Sequence, residues 1–102
     1  MEFKRIELIP ENNDLVIQSE TVNKITIHFT ETSWIQTNPD FPNQGKLLIP
    51  KSQHGVNDPV VIALRWLKDG EWLSLADTPD ISDNDDILLT ANLRFTGKMI
   101  IV

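Results

Sequence analysis

Asp69-Gly70 is the feature that most constrains what this chain can fold into. A two-residue hairpin loop of type I′ needs positive φ at both central positions, and Asp-Gly is among the few pairs that accept it. The dipeptide lies between Val60–Lys68 and Glu71–Leu75, both rich in apolar residues. The turn predicts one register: Lys68 opposite Glu71, Leu67 opposite Trp72, Trp66 opposite Leu73, Arg65 opposite Ser74 and Leu64 opposite Leu75. Because strand side chains alternate between faces, Leu64, Trp66, Leu73 and Leu75 share one face, expected to be the core. Arg65, Leu67 and Trp72 then share the other. Val60–Leu64 is apolar at every position, as a central strand covered on both sides would be.

The same period of two recurs elsewhere. Lys24-Ile25-Thr26-Ile27-His28-Phe29-Thr30 alternates strictly, and its Ile and Thr residues suit a pleated surface. Leu89, Ala91, Leu93 and Phe95 alternate with Thr90, Asn92, Arg94 and Thr96. Read as a type II′ turn, Gly97-Lys98 would close a second hairpin, with Phe95 opposite Ile100 and Leu93 opposite Val102. Two further strands are expected at Phe3–Ile9 and Asp14–Gln18, joined by the polar Pro10–Asn13. Loops are expected at Thr37–Gly45 and Pro50–Asp58. No stretch of eleven or more residues carries a helical stripe. The expected fold is all-β: a single antiparallel β-sandwich or jelly-roll-like domain spanning 1–102, with hairpins at 60–76 and 87–102.

Charge is concentrated in one place. The net charge of -6 comes from residues 69–86, which hold seven acids and no base. Residues 1–68 and 87–102 nearly balance. Such a chain is not built for direct contact with a nucleic-acid backbone, which demands a basic surface. The cluster Asp77, Asp80, Asp83, Asp85 and Asp86 is a candidate site with three readings: a solvated loop, an irregular calcium loop, or a mimic of nucleic acid that occupies a basic groove on another protein. An EF-hand is excluded, because the positions that need glycine and glutamate hold Leu88 and Arg94.

Catalytic chemistry finds little purchase. The chain has no cysteine and only two histidines, His28 and His54. Neither a nucleophile elbow nor a glycine-rich phosphate loop is present. The expectation is a non-enzyme with no cofactor and no metal. No signal peptide or apolar run long enough for a membrane span is present, so cytoplasmic synthesis without membrane contact is expected.

Two surfaces suggest protein contact. Arg65, Leu67 and Trp72 combine an arginine with an aromatic, types enriched at interface hot spots. The alternative is that a second layer covers Trp72. The apolar end, Met99-Ile100-Ile101-Val102, must either pair inside a sheet or offer an edge to a neighbouring subunit. Met99 and Ile101 are the candidate contact residues there. Carbohydrate is a further candidate ligand, with Trp72 or Trp34 as the stacking platform.

The Trp66-Leu67-Lys68-Asp69-Gly70-Glu71-Trp72 hairpin and the closing Phe95–Val102 segment resemble the small β-sandwich modules of tailed-phage tail tips, baseplates and capsid decorations. That resemblance implies a structural protein of a virion, acting as a homo-oligomer or within a larger assembly, and carries over no catalytic residue. Acidic phage-encoded inhibitors of host defence nucleases are similar in size and charge and form the rival expectation.

Overall fold

The computed structural model describes Asn12, residues 14–21 and residues 24–102. The expected strand at Phe3–Ile9 lies outside these residues, as does most of the Pro10–Asn13 turn.

The described chain forms two antiparallel sheets facing one another in a sandwich-like β fold. In chain order the elements are β1 (Val16–Thr21), β2 (Lys24–Phe29), a single 3₁₀ turn (Glu31–Ser33), β3 (Ile35–Gln36), β4 (Gly45–Ile49), α1 (Lys51–His54), β5 (Val61–Lys68), β6 (Glu71–Ser74), β7 (Asp80–Ile81), β8 (Ile87–Ala91) and β9 (Gly97–Ile101). One sheet has the order β1-β2-β9-β5-β6 and the other β3-β4-β8-β7.

The alternation seen in the sequence becomes the inner faces of the sheets. Ile27 and Phe29 of β2, Leu64 of β5, and Met99 and Ile101 of β9 point inward from the five-stranded sheet. Leu47 and Ile49 of β4 and Ile87 and Leu89 of β8 meet them from the other. Burying such side chains is worth about 1.5–3 kcal/mol each, so this shared core is the main stabilising term. Trp34, Phe95 and Trp66 close one end of it. Phe29 meets Trp34 and Phe95 edge-on, with centroids 5.9 and 5.4 Å apart, a geometry the ring quadrupoles favour. The buried Trp34 indole donates its Nε1 hydrogen to the carbonyl of Phe95 at 2.9 Å.

The Asp69-Gly70 hairpin forms in the expected register, from Lys68 opposite Glu71 to Arg65 opposite Ser74. Both turn residues have positive φ, 52° and 80°, as type I′ requires. Leu75 donates its N–H to the Leu64 carbonyl at 2.9 Å, extending the pairing. Of the four residues expected in the core, Leu64 is buried and Trp66 and Leu75 are half-buried, but Leu73 is exposed. Leu73 sits on β6, the edge strand of its sheet, where burial is least complete.

Three expectations are corrected. First, the hairpin at 87–102 does not form. β8 pairs with β4 and β7, whereas β9 pairs with β2 and β5 in the other sheet. Residues 92–96 carry the chain between the sheets. Gly97 is not among the residues with positive φ, so it cannot open a II′ turn. Its glycine identity answers to crowding instead: a Cβ there would collide with the Arg65 carbonyl oxygen and press on the Phe29 and Phe95 rings.

Second, Val60–Leu64 is not covered on both sides. A β-bulge between Val61 and Ala63 resets the alternation, because the extra residue shifts the parity of what precedes it. Val61 therefore packs on the core beside Leu64, while Val60 and Ile62 are 56% and 54% exposed.

Third, Pro50–Asp58 is not all loop. It contains α1, which ends at Gly55 with φ 70°, a left-handed position that glycine takes without strain.

Candidate functional site

The outer face of the five-stranded sheet is the better of the two candidate surfaces. The hairpin register puts Arg65 and Leu67 beside Ser74 and Trp72. On the other flank of β5, Arg65 pairs with Lys98, and Lys98 in turn with His28 of β2. Across this face Lys98 Nζ stands 4.2 Å from the centroid of the Trp72 ring, a cation–π contact that spans the intervening strand β5. Trp72 itself is 40% exposed. It is therefore not buried core, and the arginine–aromatic grouping expected from the sequence stands together on the surface.

The bulge adds to this face. Val60 exchanges both backbone hydrogen bonds with Val102, each 3.0 Å. Both valines are exposed, as is Ile62. One sheet face thus carries Val60, Ile62 and Val102 at one end and Leu67 and Trp72 at the other, with Arg65 and Lys98 between. The sequence reading missed the first group and missed Lys98. The β5–β9 pairing joins residues more than thirty positions apart, and no local signal marks a bulge without glycine.

Met99 and Ile101 are corrected as contact residues. Both are 0% exposed, because β9 lies between β2 and β5 with its odd-numbered positions turned to the core. The strand is an inner one and presents no edge.

The acidic segment divides into two parts. Asp80 opposes Leu88 and Ile81 opposes Ile87 in a β7–β8 hairpin, whose loop is Asp83-Asn84-Asp85. The Asp85 N–H donates to the Ser82 carbonyl and the Ser82 N–H to the Asp86 carbonyl, each at 2.9 Å. Asp85 takes the left-handed conformation at φ 64°, the usual geometry of a three-residue hairpin loop. Asp77, Asp80 and Asp83 are exposed, but Asp85 and Asp86 are half-buried and used internally. Asp86 Oδ1 accepts the Lys51 N–H at the start of α1 at 2.9 Å, and Asp85 Oδ2 lies 3.6 Å from Lys51 Nζ. Among the described residues, no three His, Asp or Glu side chains come together as a metal site requires.

Both histidines have structural partners. Buried His54 accepts the Val56 N–H at Nδ1, 3.0 Å, so its proton sits on Nε2 and is donated to the Asp85 carbonyl at 2.7 Å. Burial lowers its pKa; the Asp85 hydrogen bond and the nearby Asp86 and Asp85 charges oppose the shift, and Lys51 adds to it. His28 Nε2 lies 3.1 Å from Gln18 Oε1.

Trp34 is too buried to stack on a sugar, and the Trp72 ring is already capped by Lys98. No helix among the described residues is long and apolar enough to cross a membrane. Comparison with protein-family models, curated proteins and solved structures found no match. The class defined is that of an antiparallel two-sheet β protein with a mixed apolar and basic outer face.

Proposed function

We propose that this protein is a non-enzymatic assembly or attachment module that acts through protein–protein contact, docking the outer face of its five-stranded sheet on a second copy of itself. One observation carries the reading: Val60, Ile62, Trp72 and Val102 remain exposed on one sheet face around Arg65 and Lys98. Exposed apolar groups gathered on one face mark interaction surfaces, and arginine and tryptophan are enriched where such surfaces bind. Charge complementarity supports a second copy as the occupant. The docking face holds Arg65 and Lys98, whereas the β7–β8 hairpin of the other sheet exposes Asp80 and Asp83. A contact between unlike surfaces propagates into rings or open filaments, as an assembling component would. The resemblance of the Trp66–Trp72 hairpin to tailed-phage modules supports a virion as the setting.

Light scattering over a range of protein and salt concentrations tests this directly. Wild-type protein is expected to associate, and added salt to weaken the association. Arg65→Glu with Lys98→Glu, and separately Asp80→Lys with Asp83→Lys, are each expected to be monomeric. Mixing the two variants restores association, because each supplies the surface the other has lost. A wild-type monomer at every concentration overturns the proposal.

A further inference from the structure

We infer that the cleft between the two sheets, walled by Trp66, is a binding site for a pyranose sugar. This site is separate from the outer face and does not depend on assembly through it. The cleft has a volume of about 470 Å³, within the range of small-molecule sites, about 300–1,000 Å³. It opens where the β5–β6 side of one sheet parts from the β4–β8 side of the other, just before the chain crosses between them.

Its lining is chemically mixed in a particular way. Half-buried Trp66 supplies the aromatic surface, backed by the buried Phe95 ring, with centroids 6.0 Å apart and planes inclined at 54°. Around them stand Gln44, Asn92, Thr37 and Asp77. The Gln44 amide reaches toward Asn92 Oδ1 at 3.5 Å, a long contact that a ligand hydroxyl can replace. Amides and hydroxyls both donate and accept, and the carboxylate accepts. A pyranose presents the matching pattern: an apolar C–H face for an aromatic ring, and rim hydroxyls that donate and accept together.

The charge of the lining narrows the ligand further. Among the described residues that line it, Asp77 is the one ionisable group, with neither lysine nor arginine beside it in the lining. A phosphorylated or otherwise anionic ligand would meet a carboxylate without a compensating base. Lys68 stands over the Trp66 ring at 5.1 Å, farther than Lys98 stands from Trp72, and is not part of the lining.

The three tryptophans provide the readout, because each has its own indole N–H resonance. Methyl β-D-glucopyranoside, methyl β-D-galactopyranoside, methyl α-D-mannopyranoside and N-acetylglucosamine are titrated singly into ¹⁵N-labelled protein, to tens of millimolar. At least one is expected to shift the Trp66 indole signal while those of Trp34 and Trp72 stay in place. Adenosine, which stacks through its base and carries a furanose rather than a pyranose, is expected to leave Trp66 unmoved. Trp66→Ala should abolish binding. Because that change also removes half-buried surface, the exposed Asn92→Ala and Asp77→Asn variants provide the check. Each is expected to keep the wild-type circular dichroism and to weaken binding by about three- to tenfold. No Trp66 shift with any sugar, shifts confined to Trp72, a response to adenosine alone, or unchanged affinity in both rim variants would each overturn the inference.

Discussion

Lys98 Nζ lies 4.2 Å above the ring of Trp72, reaching from β9 over β5 to β6. The contact ties the middle of the sheet to its edge through side chains alone, since β9 and β6 share no backbone hydrogen bonds. A double-mutant cycle with Lys98→Ala and Trp72→Ala is expected to give a coupling energy of about 0.5–1 kcal/mol, typical of a partly exposed cation–π pair. Additive effects in urea denaturation would mean that the two side chains do not meet in solution.

His54 makes the fold sensitive to acid. Its folded pKa is lowered, chiefly by burial, so the native state binds fewer protons than the unfolded chain near neutral to mildly acidic pH. Its contribution is complete above the free imidazole value of about 6.5 and is lost as pH falls from there toward the lowered folded value. Protonation at Nδ1 would also set a donor against the Val56 N–H. The urea midpoint should decline as pH falls below about 6.5. His54→Gln should be less stable at pH 7 and show a flatter decline, and an equally steep one would assign the pH sensitivity to another group.

Gly97 has no room for a methyl group. A Cβ would strike the Arg65 carbonyl, a backbone atom that cannot rotate aside, and would sit 3.1 Å from both the Phe29 and Phe95 rings. Gly97→Ala is expected to cost about 2–3 kcal/mol, in the range of overpacking at a tight site. Gly55→Ala, where nothing lies within 4 Å, should cost only the strain of its left-handed φ, about 1–2 kcal/mol. Equal losses at the two sites would show that packing at Gly97 is looser than described.

The five clustered aspartates should separate by mutation. Asp86→Ala leaves the Lys51 N–H without its acceptor and is expected to cost about 1–3 kcal/mol. Asp80→Asn and Asp83→Asn, both exposed, should change stability by no more than about 0.5 kcal/mol. Thermal melts of the three variants check this division, and it fails if Asp86→Ala melts with wild type.

What was legible in the sequence was local. The Asp69-Gly70 turn set its own register, because the dihedral demand of the loop leaves one pairing open, and the alternation in Lys24–Thr30 marked its inner face. Long-range pairing was not legible. Phe95-Thr96-Gly97-Lys98 looks like a turn because glycine commonly marks one, and only the proximity of the Arg65 carbonyl shows that this glycine answers to crowding. The all-apolar run Val60–Leu64 pointed to cover on both faces, and the bulge at Ile62 that leaves Val60 and Ile62 exposed has no glycine to announce it. For the site, Arg65, Leu67 and Trp72 followed from the hairpin parity. Met99 and Ile101 were misread, because their face depends on partners more than thirty residues away.

The position of β9 has a consequence for how the chain acquires its structure. β1 with β2 and β5 with β6 are two local antiparallel pairs, each able to form from neighbouring residues. Neither can join the other until residues 97–101, which follow both in the chain, slot between them. Closing that gap brings Ile27 and Leu64 to opposite flanks of Met99 and pays the loop-closure entropy for both joins in one late event. Until that strand is in place the two hairpins are separate halves, and the five-stranded sheet is continuous only once its central strand arrives.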